Sequence, residues 1–457
     1  MSSNSKIFKF RKDESLDRLA NSFNVAQFVS FSPGLVAKQE YCRVLGFEPN
    51  FEFQSLPVAI SELIKRSVKN SVNIRSFRPD DPRSHEFVYG ITDVSQAQAV
   101  AERILGSGFY IIINETIDVN DGGVSGVLQG GVVEFSPDDT PRCVEKPGTA
   151  SMSRAWGCSL LKKVYGFDVD FGYDESYRIE FSLHPRPCGW KHTHVLGWEL
   201  EKTNDINLVP NNIWPNNFSR VIGDKAFGLM LAEQAGLPVP KTTVISRRVA
   251  PFSFGEETGS AEKWIRTCPT EQVPGKYTTH HGWLDPFKLI TTEDPSGEVI
   301  SSILSQAAVV AHYSGALIVN AEGKPVIEGT KGEGEAFMLG TAMPEILPDL
   351  VIKDVLALFI NAFDKLGPVR FEWVHDGEMA WVVQLHKGAT SSVDNVIVPG
   401  DAAIWCDFDI SFGLAALRTR LEGMEEGMGL LIQGQVGLTS HVADVLRKSG
   451  IPARIEI

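Results

Sequence analysis

At 457 residues the chain is longer than one core usually supports, and 43% hydrophobic with 22% charged residues is the composition of a folded protein of two or three domains. A net charge of −14 excludes nucleic-acid or anionic-membrane binding through the whole surface, while a local basic site for phosphates stays compatible with it. The polar opening MSSNSKIFKFRKDE is no signal peptide, no apolar run approaches the roughly 20 residues of a membrane helix, and six cysteines without a C-x-x-C pair suggest neither zinc ribbon nor disulfide framework, so we expect a cytoplasmic protein.

Residues 1–72 read as a helical subdomain, from the stretches DESLDRLANSFNVAQFV and PVAISELIKRSVKNSV. Residues 73–217 change to short β-branched and aromatic runs broken by Gly, Pro and Asp. Here FYIIIN, GVVEF, YRIEFSL and VLGWELE are predicted strands and SQAQAVAERILGSG a predicted helix, giving a mixed α+β domain. Two of its segments are dense in reactive side chains. INETIDVNDGGVSGV offers Asn114, Glu115, Asp118 and Asp121 for a metal or sugar-hydroxyl site on a loop. RIEFSLHPRPCGWKHTHVLGWELE offers Arg178, Glu180, His184, His192 and His194, and the last two, two apart on a predicted strand, would face one side and bind a metal with His184 or Glu180. The plainer reading of both is a solvated polar surface. One internal echo links the halves: Ile74-Arg75-Ser76 and the later VSGVLQGGVVEF resemble Ile265-Arg266-Thr267 and the later YSGALIVNAEGKPVIEG. Chance explains so short a match; a true repeat would make the first half a diverged copy of part of the second.

The Asn- and Pro-rich TNDINLVPNNIWPNNFSR reads as a linker, after which residues 218–386 form one unit and 387–457 a short last one. Four islands follow in the first of these. GDKAFGLMLAEQAGLPVP sets Lys225 at the beginning of an apolar helix, where an ammonium bridges phosphate oxygens. WIRTCP ends a strand on Arg266, a planar fork suited to bidentate phosphate contact. SQAAVVAHYSGALIV contains Gln306 and Val309, and EGTKGEGEAFMLGTAMPE contains Gly332, Gly334 and Glu335, with glycine turns that let backbone approach a ligand. VRFEWVHDGEMAWVVQLHKG reads as a β-hairpin about an Asp-Gly turn, from which Glu372 and Gln384 project toward a common point. A carboxylate with an amide oxygen is a fitting partial ligand set for Mg²⁺, completed by phosphates and water. Finally GLTSHVADVLRKSGIPARI places His441 in the first turn of a helix capped by Thr439 or Ser440 and ended by Gly450 and Pro452, where free N–H groups and the helix dipole favour a phosphoryl group on the imidazole. Taken singly, each has a plain alternative: a solvated lysine, a surface ion pair, an N-capped helix with a surface histidine.

Together and in this order the islands resemble the phosphoenolpyruvate synthase and pyruvate phosphate dikinase family. The first resembles its GGKGANLGEL-x-x-AGLPVP, the second VRSSA, the third VQ-x-MV-x-AE-x-SGVMFT with GLGEAVVSGRVTPD, the fourth DIEWA-x-D-x-DGKLYILQARP, and the last GG-x-TSH-x-A-x-(I/V)-AR-x-LGIPAV. His386 departs from the family, standing where QARP has its arginine, and the last unit is shorter than the family's swivelling domain. The resemblance covers about Val221 to Ile457 and implies an ATP-grasp-like nucleotide domain followed by a short β/α phosphohistidine-like unit, α/β (α+β) overall. It implies ATP and Mg²⁺ as cofactors, a backbone hinge from Gln306 to Val309 against adenine, Glu335 near the nucleotide, and a phosphoryl group passed through His441 to an acceptor. That acceptor, a small molecule or a protein, is sought in residues 1–217, for which no family is recognised. Two alternatives stay open: an ATP-grasp ligase that forms an acyl phosphate with His441 structural, and a non-catalytic ATP-binding sensor or assembly protein, oligomeric or not.

Overall fold

The computed structural model describes residues 11–79, 81, 84–169, 171–205, 207–270, 277, 279–434 and 436–456. The chain is a mixed α+β protein with five sheets among these residues. It divides into two compact units, Met1–Lys162 with Phe167–Phe218 and Lys163–Gly166 with Ser219–Ile457. The division falls at the end of the Asn- and Pro-rich segment.

In the first unit α1 (Lys12–Ser22) leads into β1 (Phe28–Ser32) and β2 (Lys38–Arg43), α2 (Leu56–Arg66) precedes β3 (Val72–Phe77) and β4 (Phe87–Ile91), and α3 (Val94–Gly106) precedes β5 (Tyr110–Glu115). These strands form one antiparallel sheet in the order β2-β1-β5-β3-β4. Helix α2 buries Leu56, Ala59 and Ile60 and α3 buries Ala101, Ile104 and Leu105, at the i, i+3, i+4 spacing of an apolar stripe, against Val29, Ile74 and Ile111 of the sheet. Asp93 starts α3 by accepting the amide of Gln96 at 2.7 Å. The expected helical subdomain of residues 1–72 is therefore corrected: α1 stops at Ser22, and the FVSFS that follows is a fully buried strand paired with β5 far along the chain. Continuous burial had removed the period-two signal.

A second antiparallel sheet is made by β6 (Val124–Gln129), β7 (Val132–Pro137), β8 (Ala150–Ser153), β9 (Tyr177–Cys188) and β10 (Thr193–Lys202), with α4 (Arg154–Tyr165) between β8 and β9. Its order is β10-β9-β6-β7-β8, around buried Phe135 and Phe181.

The second unit opens with α5 (Asn217–Ile222), α6 (Asp224–Gln234), β11 (Thr242–Ser246), β12 (Phe252–Phe254), β13 (Lys263–Pro269), β14 (Thr279–His281), α7 (Pro286–Glu293) and β15 (Ile300–Ala307), in a sheet of order β12-β11-β15-β13-β14. Next come β16 (Tyr313–Val319), β17 (Pro325–Lys331), α8 (Glu335–Met338), α9 (Asp349–Leu366), β18 (Val369–His375) and β19 (Ala380–Lys387), in a sheet of order β17-β16-β18-β19. The last elements are β20 (Val396–Val398), β21 (Ile404–Asp409), α10 (Gly413–Glu422), β22 (Met428–Gln433), α11 (His441–Ser449) and β23 (Ala453–Ile455). Here β21, β22 and β23 run parallel, and β20 closes the edge. Residues 387–457 do not keep a core to themselves: Ile318 of β16 packs into the cluster of Leu430, Val442 and Leu446. No described helix is long and apolar enough to cross a membrane.

Candidate functional site

Helices and strands from all parts of the second unit converge on one cavity of about 370 Å³. Gly223 starts the first contribution, with φ +91 and no room for a side chain, since a Cβ there would stand 2.5 Å from Ser302 Oγ and 2.7 Å from Cys268 Cβ. The turn it permits begins α6 and brings Lys225 to the cavity wall, where Nζ donates to the carbonyl of Thr267 at 3.1 Å. Burial lowers the Lys225 pKa; nearby Arg266 lowers it further, while Cys268 and Glu372 oppose the shift.

Arg266 on β13 also lines the cavity. Its guanidinium lies 3.5 Å from Glu372 Oε2 and donates to Val383 O at 3.4 Å, and its buried Nε has no partner among the described residues. Thr267, next along the strand, points the other way and donates to Glu293 at 3.1 Å, so it does not assist Arg266. Gln306 and Val309, at and just beyond the end of β15, line another side. The buried Gln306 amide donates to Thr242 Oγ1 at 3.3 Å and Val383 O at 3.4 Å.

Hairpin β18–β19 supplies the opposite wall. Asp376 accepts the amides of Glu378 and Met379 at 2.8 Å each, Gly377 takes φ +98, and the register that follows sets Glu372 directly across from Gln384. A β-bulge at this pair leaves Val383 unpaired and turns its carbonyl to Arg266 and Gln306. Gln384 Nε2 lies 2.7 Å from His386 Nε2. An amide nitrogen only donates, so that imidazole nitrogen accepts and the amide oxygen is left to face elsewhere. Burial, then the positive charge of Arg370, pushes the His386 pKa down to about 3, which keeps the ring neutral as this bond requires. The residue that departs from the family pattern thus orients Gln384.

The cavity also reaches α8 and α11. Gly334 and Glu335 line it, whereas Gly332, with φ +75, only turns the chain toward them. His441 lines it too, as the first residue of α11. Ser440 caps that helix by accepting Ala443 N at 3.4 Å, and Gly450 ends it with a left-handed φ of 69. Asp444, Arg370 and Lys448 stand beside it on the wall, Asp444 accepting from Arg370 at 3.2 Å and Arg447 at 2.6 Å. A further residue escaped sequence reading. Glu328 on β17 accepts Leu438 N at 3.2 Å, Thr439 N at 2.9 Å and Thr439 Oγ1 at 2.9 Å, fixing the turn before His441. A Cβ on Gly437 would stand 2.7 Å from that carboxylate, so only glycine admits the approach. The one signal was a carboxylate directly after the apolar Val326-Ile327 of its strand.

Residues selected in the first half meet in pairs, Arg178 with Glu180 and His184 with Asp121, and do not gather at one site. Asn114 and Glu115 belong to β5 and are buried, not on a loop; Glu115 accepts both amides of Gln27, at 2.8 and 3.0 Å. Asp118 pairs with Lys69, and Arg178 with Glu180 at 2.9 Å. His192 sits in the turn before β10 with φ +51, so it shares no strand face with His194, whose ring stacks on Phe167 at 4.1 Å. His184 bridges Asp121 at 2.9 Å and Ser182 at 2.8 Å. That order resembles a nucleophilic triad, but Ser182 is buried and already accepts the indole N–H of Trp198 at 2.7 Å. Among the described residues no group of three or more His, Cys, Asp or Glu could hold a metal, which corrects the expected histidine site.

The donor set on β18 and β19 fits a divalent cation held chiefly through phosphate oxygens: Glu372 gives a carboxylate, Gln384 an amide oxygen, and the unpartnered Arg266 Nε a donor for an anion.

No protein-family model matches the chain, and no curated protein matches it. Solved structures do match over about a third of it. D-alanine–D-alanine ligase from Bacillus anthracis complexed with ATP matches at 13% identity over 36% of this chain and 53% of its own, with TM-score 0.24. The ADP complex of N5-carboxyaminoimidazole ribonucleotide synthetase matches at 13% identity over 37% and 45%, with TM-score 0.26, and a RimK-domain ATP-grasp protein from Sphaerobacter thermophilus at 18% over 36% and 60%, with TM-score 0.24. The chain spans about half the length of these structures, and likenesses of this size assign it no activity.

Proposed function

We propose that the second unit binds Mg·ATP and transfers its γ-phosphoryl group to His441, from which it passes to an acceptor. The observation that carries this reading is the shared wall: Lys225, Arg266, Glu372 and Gln384 line one cavity with His441. Phosphoryl transfer is mainly positioning and charge neutralisation, which two cations, a carboxylate and an amide oxygen supply. A cation on Glu372 and Gln384 would neutralise phosphate charge. Lys225 and Arg266 bind phosphate oxygens, and the backbone beside Gln306 and Val309 meets the base. His441 offers a ring nitrogen at a helix N-terminus whose free amides favour the phosphorylated form.

A second reading, an ATP-dependent ligase forming an acyl phosphate, is favoured by one specific observation. Glu328 holds the segment before His441 by three hydrogen bonds, and a carrier that delivers phosphate elsewhere has to travel. In that reading Arg370 and Lys448 receive a carboxylate substrate and His441 is structural. Incubating wild type and His441→Ala with γ-labelled ATP separates the two. A base-stable, acid-labile label on the wild type alone supports transfer to His441, whereas ADP formation with a carboxylate and an amine, indifferent to His441→Ala, supports the ligase.

A further inference from the structure

The two units repeat one topology, and the positions at which they differ point to a place in the second. Strand order β2-β1-β5-β3-β4 in the first becomes β12-β11-β15-β13-β14 in the second, and β10-β9-β6-β7 becomes β19-β18-β16-β17. Register aligns single residues: Asn73 pairs with Asn114 as Trp264 pairs with Gln306, each two residues before an arginine, Arg75 or Arg266. In the other sheet Glu180 meets Glu199 as Glu372 meets Gln384, each beside a bulge, and the residues the two bulges leave out are Trp198 and Val383.

Three of these exchanges meet in one place. Trp264, Gln306 and Val383 all line the cavity of about 370 Å³, whereas their counterparts Asn73, Asn114 and Trp198 serve the first unit's own packing. Asn73 Oδ1 accepts Gly90 N and Thr116 Oγ1, each at 2.9 Å, and Asn114 donates to Glu115 O at 2.8 Å. Trp198, held by Ser182, borders a hollow of only about 20 Å³, too small for a nucleobase.

In the second unit the exchange builds a platform. Paired residues of an antiparallel sheet stand side by side on one face, so His281, Trp264 and Gln306 form a row across β14, β13 and β15. The rings of Trp264 and His281 lie 4.5 Å apart, close to the spacing of neighbouring strands, and His281 Nε2 is 3.0 Å from Glu262. Trp264 and Gln306 line the cavity and, among the described residues, His281 does not. The indole is thus backed by the imidazole on one face and turns the other to the cavity, beside Gln306.

Gln306 supplies a polar edge of fixed sense. Its Nε2 donates to Thr242 Oγ1 at 3.3 Å and to Val383 O at 3.4 Å. The Thr242 hydroxyl hydrogen goes to Pro240 O at 2.8 Å, so both groups can only accept, both amide hydrogens are committed, and what Gln306 can offer a ligand is its oxygen. An acceptor at the edge of a stacked purine favours an amino group there and is left opposed to a carbonyl oxygen.

We propose that Trp264 and Gln306 read the base: the purine stacks on the cavity face of the Trp264 indole and donates its 6-amino hydrogen to Gln306 Oε1, so the site takes 6-aminopurine nucleotides and rejects 6-oxopurines. This rests on the ATP reading of the second unit and adds two side chains to the backbone that meets the base. The test uses the full chain with Mg²⁺, non-hydrolysable analogues of ATP and ITP, whose bases differ on the position-6 edge, and inorganic tripolyphosphate, which has no base. Expected of the wild type is a preference of about tenfold or more for the ATP analogue, reduced to about threefold or less in Gln306→Met. Trp264→Ala should weaken the ATP analogue about tenfold or more and leave tripolyphosphate binding unchanged, and Trp264→Phe should restore most of the affinity. Wild-type affinity for the ATP analogue in Trp264→Ala, an equal loss of tripolyphosphate, or a wild type that binds both analogues alike would overturn the proposal. Tripolyphosphate bound without either analogue would overturn it alone, whereas a wild type that binds none of the three would sink the ATP reading itself and this proposal with it.

Discussion

Single side chains decide what each half of the molecule can do. Arg266 is the residue whose loss should be felt most in turnover, because its fork faces the cavity and its Nε awaits an acceptor. Arg266→Ala should lower kcat by about 10²–10³ while the KM for ATP rises far less, as steady-state kinetics would show, since such donors act chiefly on developing charge. Equal changes in both would mean that Arg266 serves ground-state binding alone. Glu115, once a candidate ligand, is a structural carboxylate, and burial pushes its pKa up to about 7 from 4.5. The folded pKa lies above the unfolded one, so its contribution to stability is full below about pH 4.5 and is lost as pH rises to about 7. Denaturant titrations should show a smaller loss of stability between pH 5 and pH 8 in Glu115→Gln than in wild type; equal losses would contradict the assignment.

Elements held by local signals were legible in the sequence. Helix α11 shows its cap at Ser440 and its stop at Gly450, and hairpin β18–β19 shows its Asp-Gly turn, so His441, Glu372 and Gln384 could be placed from sequence alone. Strands β1 and β2 were not legible, because β1 is buried along its whole length and its partner Asn114 is remote in sequence. Glu328 was missed for the same physical reason: its three donors come from Leu438 and Thr439, far along the chain and outside its own sheet. The histidine pair of β10 failed because His192 adopts a left-handed turn, which alternation alone does not reveal. Ser440→Ala should cost about 1 kcal/mol in denaturant unfolding, the usual value of an N-cap. Glu328→Gln should leave the affinity for an ATP analogue unchanged and lower the rate at which His441 acquires label, because it loosens only the turn before α11. An unchanged labelling rate would show that the clamp does not position the imidazole.

Across the whole chain, the short echo between Ile74-Arg75-Ser76 and Ile265-Arg266-Thr267 is the visible part of a repeat that sheet order extends through most of both units. Little of it survives in sequence, because strand order depends on buried pattern while the site residues have diverged: Gln384 answers to Glu199, and Val383 to Trp198. The departures sort the copies, one with space for a nucleotide beside His441 and one closed around a small charged hollow. The most direct measurement of phosphoryl transfer through His441 is the passage of label from γ-labelled ATP to the intact chain, quenched in base. Label is predicted on the wild type, lost in acid and absent from His441→Ala; an unlabelled wild type beside a labelled carrier control, or label retained in His441→Ala, would contradict it.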